Sequence, residues 1–209
     1  LPDLYTEKEC LGLEKNPHIG FSRKGRFSEY GFKELFNYAK VLGIECFFSI
    51  FNPKYVDLLE GWGVKRYKIA ARSVFNEDII KAVKNTGKPT IVSVPSDFDI
   101  DQNLRVIKTY REFNNVTFLY CVKKYPALLA DFNLHHMVEL GRKAIRKIGA
   151  SIHCPDIAVG IKAVALGASC LEYHTTPNRS LPGCDQSSSL NYGELKQLVS
   201  LIHSLEKLK

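Results

Sequence analysis

The 209-residue sequence has few of the features that mark secreted, membrane or zinc-binding proteins. Its six cysteines form no CxxC pair, which argues against a cysteine zinc site and a disulfide framework. Its longest apolar runs are too short to cross a bilayer, and it shows no signal peptide. Its lysines and arginines are scattered despite a net charge of +7. We therefore expect a soluble cytoplasmic protein with free thiols and no membrane or nucleic-acid partner.

No Gly/Ser/Pro-rich linker divides the chain, and 45% of its residues are hydrophobic, which is sufficient for one buried core. Residues 1–26 are polar and rich in turn-forming residues. We predict an N-terminal loop segment over 1–26 and a single folded domain over 27–209.

Short apolar runs alternate with longer segments of helical period, a pattern typical of strand-helix units around a parallel sheet. The runs are nearly continuous, as expected for strands that are covered on both faces. The six predicted strands are Glu45 to Phe51, Arg66 to Ala71, Thr90 to Val94, Thr117 to Val122, Ala150 to Cys154, and Ser169 to His174.

Seven segments have the period of amphipathic helices. They are Glu29 to Leu42, Pro53 to Trp62, Asn76 to Asn85, Asp101 to Phe113, Leu134 to Lys147, Asp156 to Leu166, and Tyr192 to Leu208. A glycine follows five of them, where a left-handed residue commonly ends a helix. These glycines are Gly43, Gly63, Gly87, Gly149 and Gly167.

Six strand-helix units preceded by one helix predict an α/β fold of the TIM (β/α) barrel type. A complete barrel takes about 250 residues. Because residues 1–26 contain no strand pattern, we expect an incomplete barrel that lacks the first strand, the first helix and the second strand.

The reacting groups of a (β/α) barrel lie at the carboxyl ends of its strands. In this sequence the residues at or near those ends are polar: Ser49, Lys68, Ser93, Lys123, Ser151, His153, Glu172 and His174. Hydroxyl groups and lysines from neighbouring strands are suited to binding a phosphate, which needs fixed donors and positive charge.

His153 and His174 occupy corresponding positions at the ends of adjacent predicted strands. Imidazoles placed in this way can approach one divalent ion, and two ligands leave the ion open to substrate. A hydrogen-bonded structural role for each histidine is the alternative.

Five motifs carry a family resemblance, in order along the chain: YKIA from Tyr67, TGKPTIVS from Thr86, CVKKYPA from Cys121, AVALGAS from Ala163, and HTTPNRSLPGCD from His174. From about Phe27 onward the sequence resembles N-acetylneuraminate (sialic acid) synthases and their relatives for pseudaminic acid, legionaminic acid and spore-coat polysaccharide.

The resemblance implies a transferase that condenses phosphoenolpyruvate with an N-acylated hexose such as N-acetylmannosamine, giving a nine-carbon 3-deoxy-2-keto acid and phosphate. It implies a divalent metal, Mn or Mg, on His153 and His174, and a homodimer. The implied substrate-binding residues are Ser49, Lys68, Ser93, Lys123, Tyr125 and Ser151, and the implied catalytic residues are Lys68 and Glu172.

The sequence also departs from the family pattern. Ile152 precedes the metal histidine where an Asp is usual, Ala71 stands where a phosphate-contacting serine is common, and Gln186 replaces a histidine. We also expect the family's C-terminal antifreeze-like domain to be missing. These differences keep open an alternative from another class, a catalytically inactive descendant with a binding, regulatory or assembly role.

A third hypothesis makes Lys68 the nucleophile of a Schiff-base aldolase, activated by desolvation. The sequence near Lys68 offers no general base, and such enzymes have no need of two histidines.

Overall fold

A computed structural model describes residues 27–208 of the chain. The predicted loop segment 1–26, together with Cys10, lies outside the described residues. The described α-helices are α1 (Glu29–Val41), α2 (Tyr55–Trp62), α3 (Glu77–Asn85), α4 (Ile100–Tyr110), α5 (Leu134–Ala144), α6 (Ala158–Ala165) and α7 (Tyr192–Glu206). The strands are β1 (Tyr67–Ile69), β2 (Thr90–Pro95), β3 (Val116–Cys121), β4 (Lys147–Ile152) and β5 (Leu171–Tyr173).

The fold is α/β, as predicted, and its strands hydrogen-bond in chain order, β1-β2-β3-β4-β5. β3 and β4 are parallel, with Tyr120 opposite Ala150, and β4 and β5 are parallel, with Ser151 opposite Glu172. Helices alternate with these strands because parallel neighbours need a crossover connection.

The described chain comprises two compact units, and the division falls within β2. The first unit covers residues 27–91 and Glu112–Asn115, and the second covers Val92–Arg111 and 116–208.

The first unit packs α1 and α2 through aromatic side chains. The ring of Trp62 lies 5.9 Å from Phe36 and 5.9 Å from Phe48, between centroids. The prediction of a strand over Glu45 to Phe51 was wrong, because only Ser49 forms an isolated parallel bridge, to Lys68. Residues 46–49 are half-buried and residue 45 is exposed, so an apolar run here does not correspond to a strand covered on both faces.

The second unit is built around β3 and β4, whose residues are buried apart from Thr117 and Lys147. Helix α5 packs on both of these strands, and α6 packs on β4 and on α7. Burial of a side chain such as Ile152, which is fully buried, stabilises the fold by about 2 kcal/mol.

Helix α5 ends three residues earlier than predicted, and β4 begins three residues earlier. Ile145 takes the left-handed position at the end of α5, with φ of 51°. The prediction that Gly149 ends this helix was therefore wrong, since Gly149 lies inside β4. A methyl group there would overlap the Cys170 carbonyl oxygen and lie 2.7 Å from Leu119 Cδ2, so close strand packing requires the glycine.

The other four glycines confirm the prediction, with φ of 69° at Gly43, 78° at Gly63, 68° at Gly87 and 94° at Gly167. Asn76 also begins a helix as expected, since its side chain accepts a hydrogen bond from the Ile79 amide. The five described cysteines are free thiols. Within residues 27–208, no helix has both the length and the apolar character needed to span a membrane.

Candidate functional site

His153 directly follows β4 and is 5% exposed. Its Nδ1 lies 2.9 Å from the Val122 carbonyl oxygen, and its Nε2 lies 3.0 Å from the Tyr125 hydroxyl. A carbonyl oxygen can only accept, so Nδ1 donates and carries the ring proton. Nε2 is then an acceptor, and the Tyr125 hydroxyl donates to it.

The surroundings of His153 favour the neutral imidazole. Burial lowers the pKa of His153, the hydrogen bond to the Val122 carbonyl opposes this, and the neighbouring His174 lowers the pKa further. The ring therefore presents a neutral nitrogen lone pair, which is the form in which histidine binds metal ions.

His174 directly follows β5, and its ring centroid lies 5.2 Å from that of His153. The Tyr125 ring stacks on His153 at 4.1 Å and meets His174 edge-on at 6.0 Å. We call His153, His174 and Tyr125 the histidine cluster. The structure thus brings both predicted metal ligands together with Tyr125, which the resemblance implies as a substrate-binding residue.

The histidine cluster suits a metal ion in part. The Nδ1 of His153 donates to a backbone carbonyl, as the second nitrogen of metal-bound histidines commonly does. No group of three or more His, Cys, Asp or Glu side chains among residues 27–208 is arranged to hold a metal. Among the described residues the two histidines are therefore a pair of candidate ligands and no more, and the metal remains a prediction.

Asp185 is a neighbour of the cluster that the sequence did not single out. One of its carboxylate oxygens lies 4.0 Å from Nδ1 of His174. Asp185 ends the HTTPNRSLPGCD motif, and the chain must turn back after β5 to bring it here. The only sequence signal was its presence in a motif that starts at His174.

The other predicted residues of the second unit lie in or next to its strands. Ser93 in β2 and Ser151 in β4 are each 2% exposed, and Glu172 in β5 is half-buried. Lys123 is exposed and forms an ion pair with Asp97, with Nζ 3.1 Å from Oδ2. Asp97 is a partner that sequence reasoning had not assigned.

The first unit contains Ser49 and Lys68, which form the parallel bridge described above. The Lys68 amide donates to the Phe48 carbonyl over 3.1 Å, and the Lys68 carbonyl accepts from the Ile50 amide over 3.0 Å. Lys68 is 5% exposed, which is rare for a lysine.

Comparison with known proteins supports the family resemblance. The profile of the NeuB family matches residues 4–209. The chain is 33% identical to a pseudaminic acid synthase of Helicobacter pylori over 171 residues, which is 81% of this chain and 50% of that protein. It is 31% identical to the N-acetylneuraminate-9-phosphate synthase of Mus musculus over 205 residues, which is 97% of this chain and 56% of that protein.

Solved structures match as well. The N-acetylneuraminic acid synthetase of Leptospira borgpetersenii, solved in complex with citrate, superposes with a TM-score of 0.88 at 26% identity, covering 96% of this chain and 70% of the other. A truncated 3-deoxy-D-arabino-heptulosonate 7-phosphate synthase of Thermotoga maritima gives a TM-score of 0.74 at 16% identity, over 88% and 73%. This second likeness concerns the fold alone and agrees with the predicted barrel type.

The chain spans about half the length of the curated relatives it matches, between 50% and 58% for the first three. The family profile nevertheless covers nearly all of its residues. The chain belongs to the NeuB family.

Proposed function

We propose that the protein is a sialic-acid-type synthase, which condenses phosphoenolpyruvate with an N-acylated hexose such as N-acetylmannosamine. The observation that carries this proposal is the histidine cluster in a chain of the NeuB family. A buried neutral imidazole and a second imidazole lie at the ends of adjacent strands, with ring centroids 5.2 Å apart. Catalytic groups of (β/α) barrels are found at such strand ends.

His153 and His174 would hold the divalent cation, Mn or Mg. The cation, when bound, supplies Lewis-acid stabilisation of the charge that develops on the aldehyde oxygen of the open-chain sugar. The chain's own contribution is to keep Nε2 of His153 unprotonated, through burial and through the hydrogen bond from Nδ1 to the Val122 carbonyl.

Ser93 and Ser151 of the second unit would bind phosphoenolpyruvate, and the family resemblance assigns the same ligand to Ser49 and Lys68. The buried hydroxyls of Ser93 and Ser151 are fixed donors, and the buried ammonium of Lys68 supplies positive charge. In the reaction the methylene carbon of phosphoenolpyruvate forms a bond to the aldehyde carbon, and the aldehyde oxygen takes up a proton. Water adds to the carbon that carries the phosphate and gives up its protons, and the phosphate leaves with its bridging oxygen, which produces the keto group.

Tyr125 and Lys123 would contact the sugar. Both side chains are exposed, and Tyr125 also meets the ring of His174 edge-on. Glu172 would orient the metal site. Its carboxylate raises the pKa of His153 and so acts against the lowering by burial. We further propose that the protein acts in the cytoplasm as a homodimer, on the basis of the family resemblance.

Titration calorimetry with Mn²⁺ and phosphoenolpyruvate tests the proposal, followed by a phosphate-release assay with N-acetylmannosamine. We expect binding by the native chain and none by the His153→Ala, His174→Ala double variant. The His135→Ala, His136→Ala double variant is the matched control, because it removes two exposed imidazoles from α5. Binding without phosphate release would contradict the synthase and favour the inactive descendant, and absence of binding would contradict the metal site.

A further inference from the structure

Both ring nitrogens of His153 are engaged in hydrogen bonds. Nδ1 donates a hydrogen bond to the buried Val122 carbonyl over 2.9 Å, and Nε2 accepts one from the Tyr125 hydroxyl over 3.0 Å. A neutral imidazole has one lone pair in the ring plane that can accept a hydrogen bond or bind a cation. The Tyr125 hydroxyl therefore occupies the position on His153 that a cation would need.

Of the two hydrogen bonds, the one from Tyr125 is the easier to give up. Val122 is 3% exposed, so its carbonyl would lose a partner that water cannot readily replace. Tyr125 is 44% exposed, and its hydroxyl can exchange the bond to Nε2 for one to water. The Ala127 amide donates to the His153 carbonyl over 2.8 Å, which keeps the backbone of this loop next to His153 while the tyrosine side chain turns.

We propose that Tyr125 is a positioning residue that caps Nε2 of His153, so that its hydroxyl competes with the divalent cation for this nitrogen. The proposal rests on the proposed metal role of His153. Cation binding then requires the Tyr125 hydroxyl to leave Nε2. The same movement releases a hydroxyl and an aromatic face at the edge of the site, where the substrate sugar would bind.

The test is Mn²⁺ binding by Tyr125→Phe, measured by calorimetry and by the electron paramagnetic resonance signal of free Mn²⁺. The substitution removes only the hydroxyl and leaves the ring that stacks on His153 at 4.1 Å. Because the cation no longer displaces a hydrogen bond, we expect its dissociation constant to fall about 2- to 10-fold. A gain in affinity distinguishes this role from a structural one, since a folding defect would weaken binding.

Tyr192→Phe is the matched control, because Tyr192 is exposed at the start of α7. We expect it to bind Mn²⁺ as the native chain does. His153→Ala and the His153→Ala, Tyr125→Phe double variant should bind equally weakly, since the competition acts only at Nε2.

Unchanged affinity in Tyr125→Phe, with Mn²⁺ still bound by the native chain, would overturn the competition and leave the proposed function intact. Weaker affinity would also overturn it, because the hydroxyl would then contribute to binding. If the double variant bound Mn²⁺ more tightly than His153→Ala, the hydroxyl would act away from His153, and the competition would be overturned as well. Absence of Mn²⁺ binding by the native chain and Tyr125→Phe alike would instead remove the metal site on which both proposals depend.

Discussion

The ends of β4 and β5 carry the same residue type in unequal surroundings. β4 has pairing partners on both sides, β3 and β5, and His153 at its end is 5% exposed with both ring nitrogens bonded. β5 is three half-buried residues long, and the side chain of His174 at its end is 37% exposed. The backbone of His174 is also held, since its carbonyl accepts a hydrogen bond from the Leu190 amide over 2.9 Å. The contrast therefore lies in the side chains, because the cluster combines a buried imidazole that has both nitrogens hydrogen-bonded with an imidazole that is partly exposed.

The largest effect is expected from Gly149→Ala, which would separate β4 from the chain entering β5. The added methyl group overlaps the Cys170 carbonyl oxygen and crowds Leu119 Cδ2, and backbone atoms cannot move aside as a flexible side chain can. We expect a loss of about 3 kcal/mol in the free energy of unfolding, measured with urea.

Gly61→Ala provides the control for this substitution. Gly61 lies in α2 with no atom near its added methyl group, so alanine should stabilise the helix by about 0.5 kcal/mol. A Gly149→Ala variant as stable as the native chain would show that β4 and β5 do not pack as closely as described.

The two histidines should differ in what their removal costs. His153→Ala leaves the buried Val122 carbonyl without its hydrogen bond and opens a cavity, so we expect a loss of about 2 kcal/mol in the free energy of unfolding. His174→Ala should cost less than about 0.5 kcal/mol, because the side chain is partly exposed. Urea unfolding with EDTA present measures both, and equal losses would remove the contrast between the two strand ends.

The same contrast predicts a dependence on pH. Burial lowers the pKa of His153 in the folded protein, so below pH about 6.5 the unfolded chain takes up a proton before the folded chain does. The contribution of His153 to the free energy of unfolding is complete above that pH. It is lost as the pH falls towards the pKa of His153 in the folded state. Metal-free native protein should lose more stability between pH 7.5 and 5.5 than His153→Ala does. An identical pH profile for both would show that His153 titrates alike in the folded and unfolded chain.

On the β5 side, Tyr173→Phe should have a smaller effect than His153→Ala. The Tyr173 hydroxyl accepts from the Gly160 amide over 3.0 Å and donates to the Asp156 carbonyl over 3.2 Å, tying β5 to the start of α6. Phenylalanine should cost about 1 kcal/mol of unfolding free energy. Tyr192→Phe, which removes an exposed hydroxyl, should change it little. A loss as large as that of His153→Ala would mean that β5 is held as firmly as β4.

Strands and helices were predictable where the hydrophobic pattern and the turn residues agreed. The run from Thr90 to Val94 forms β2 in the structure, and Gly63 ends α2 with positive φ. The prediction of a strand from Glu45 to Phe51 was wrong because an apolar pattern does not reveal whether a partner strand lies beside it. The prediction that Gly149 ends a helix was wrong because, in sequence, a glycine needed for close packing looks the same as a glycine that ends a helix.

The candidate site was predictable as a set of residue types, and its internal contacts were not. His153 and His174 were identified from their positions at strand ends, and Tyr125 from the family resemblance. Asp185 and Asp97 were missed, since each reaches its partner across a loop whose path depends on side-chain packing.

The sequence by itself determined the α/β class, the family, and the polar residues that follow buried strands, because these depend on local periodicity and on motifs within a few residues. Only the tertiary structure decided which nitrogen of His153 carries the proton and that Tyr125 caps the other. The partners of His153 lie 31 and 28 residues away along the chain. Hydrogen bonds over that separation form only once β3 and β4 have paired, and local periodicity does not show which side-chain and backbone atoms then meet.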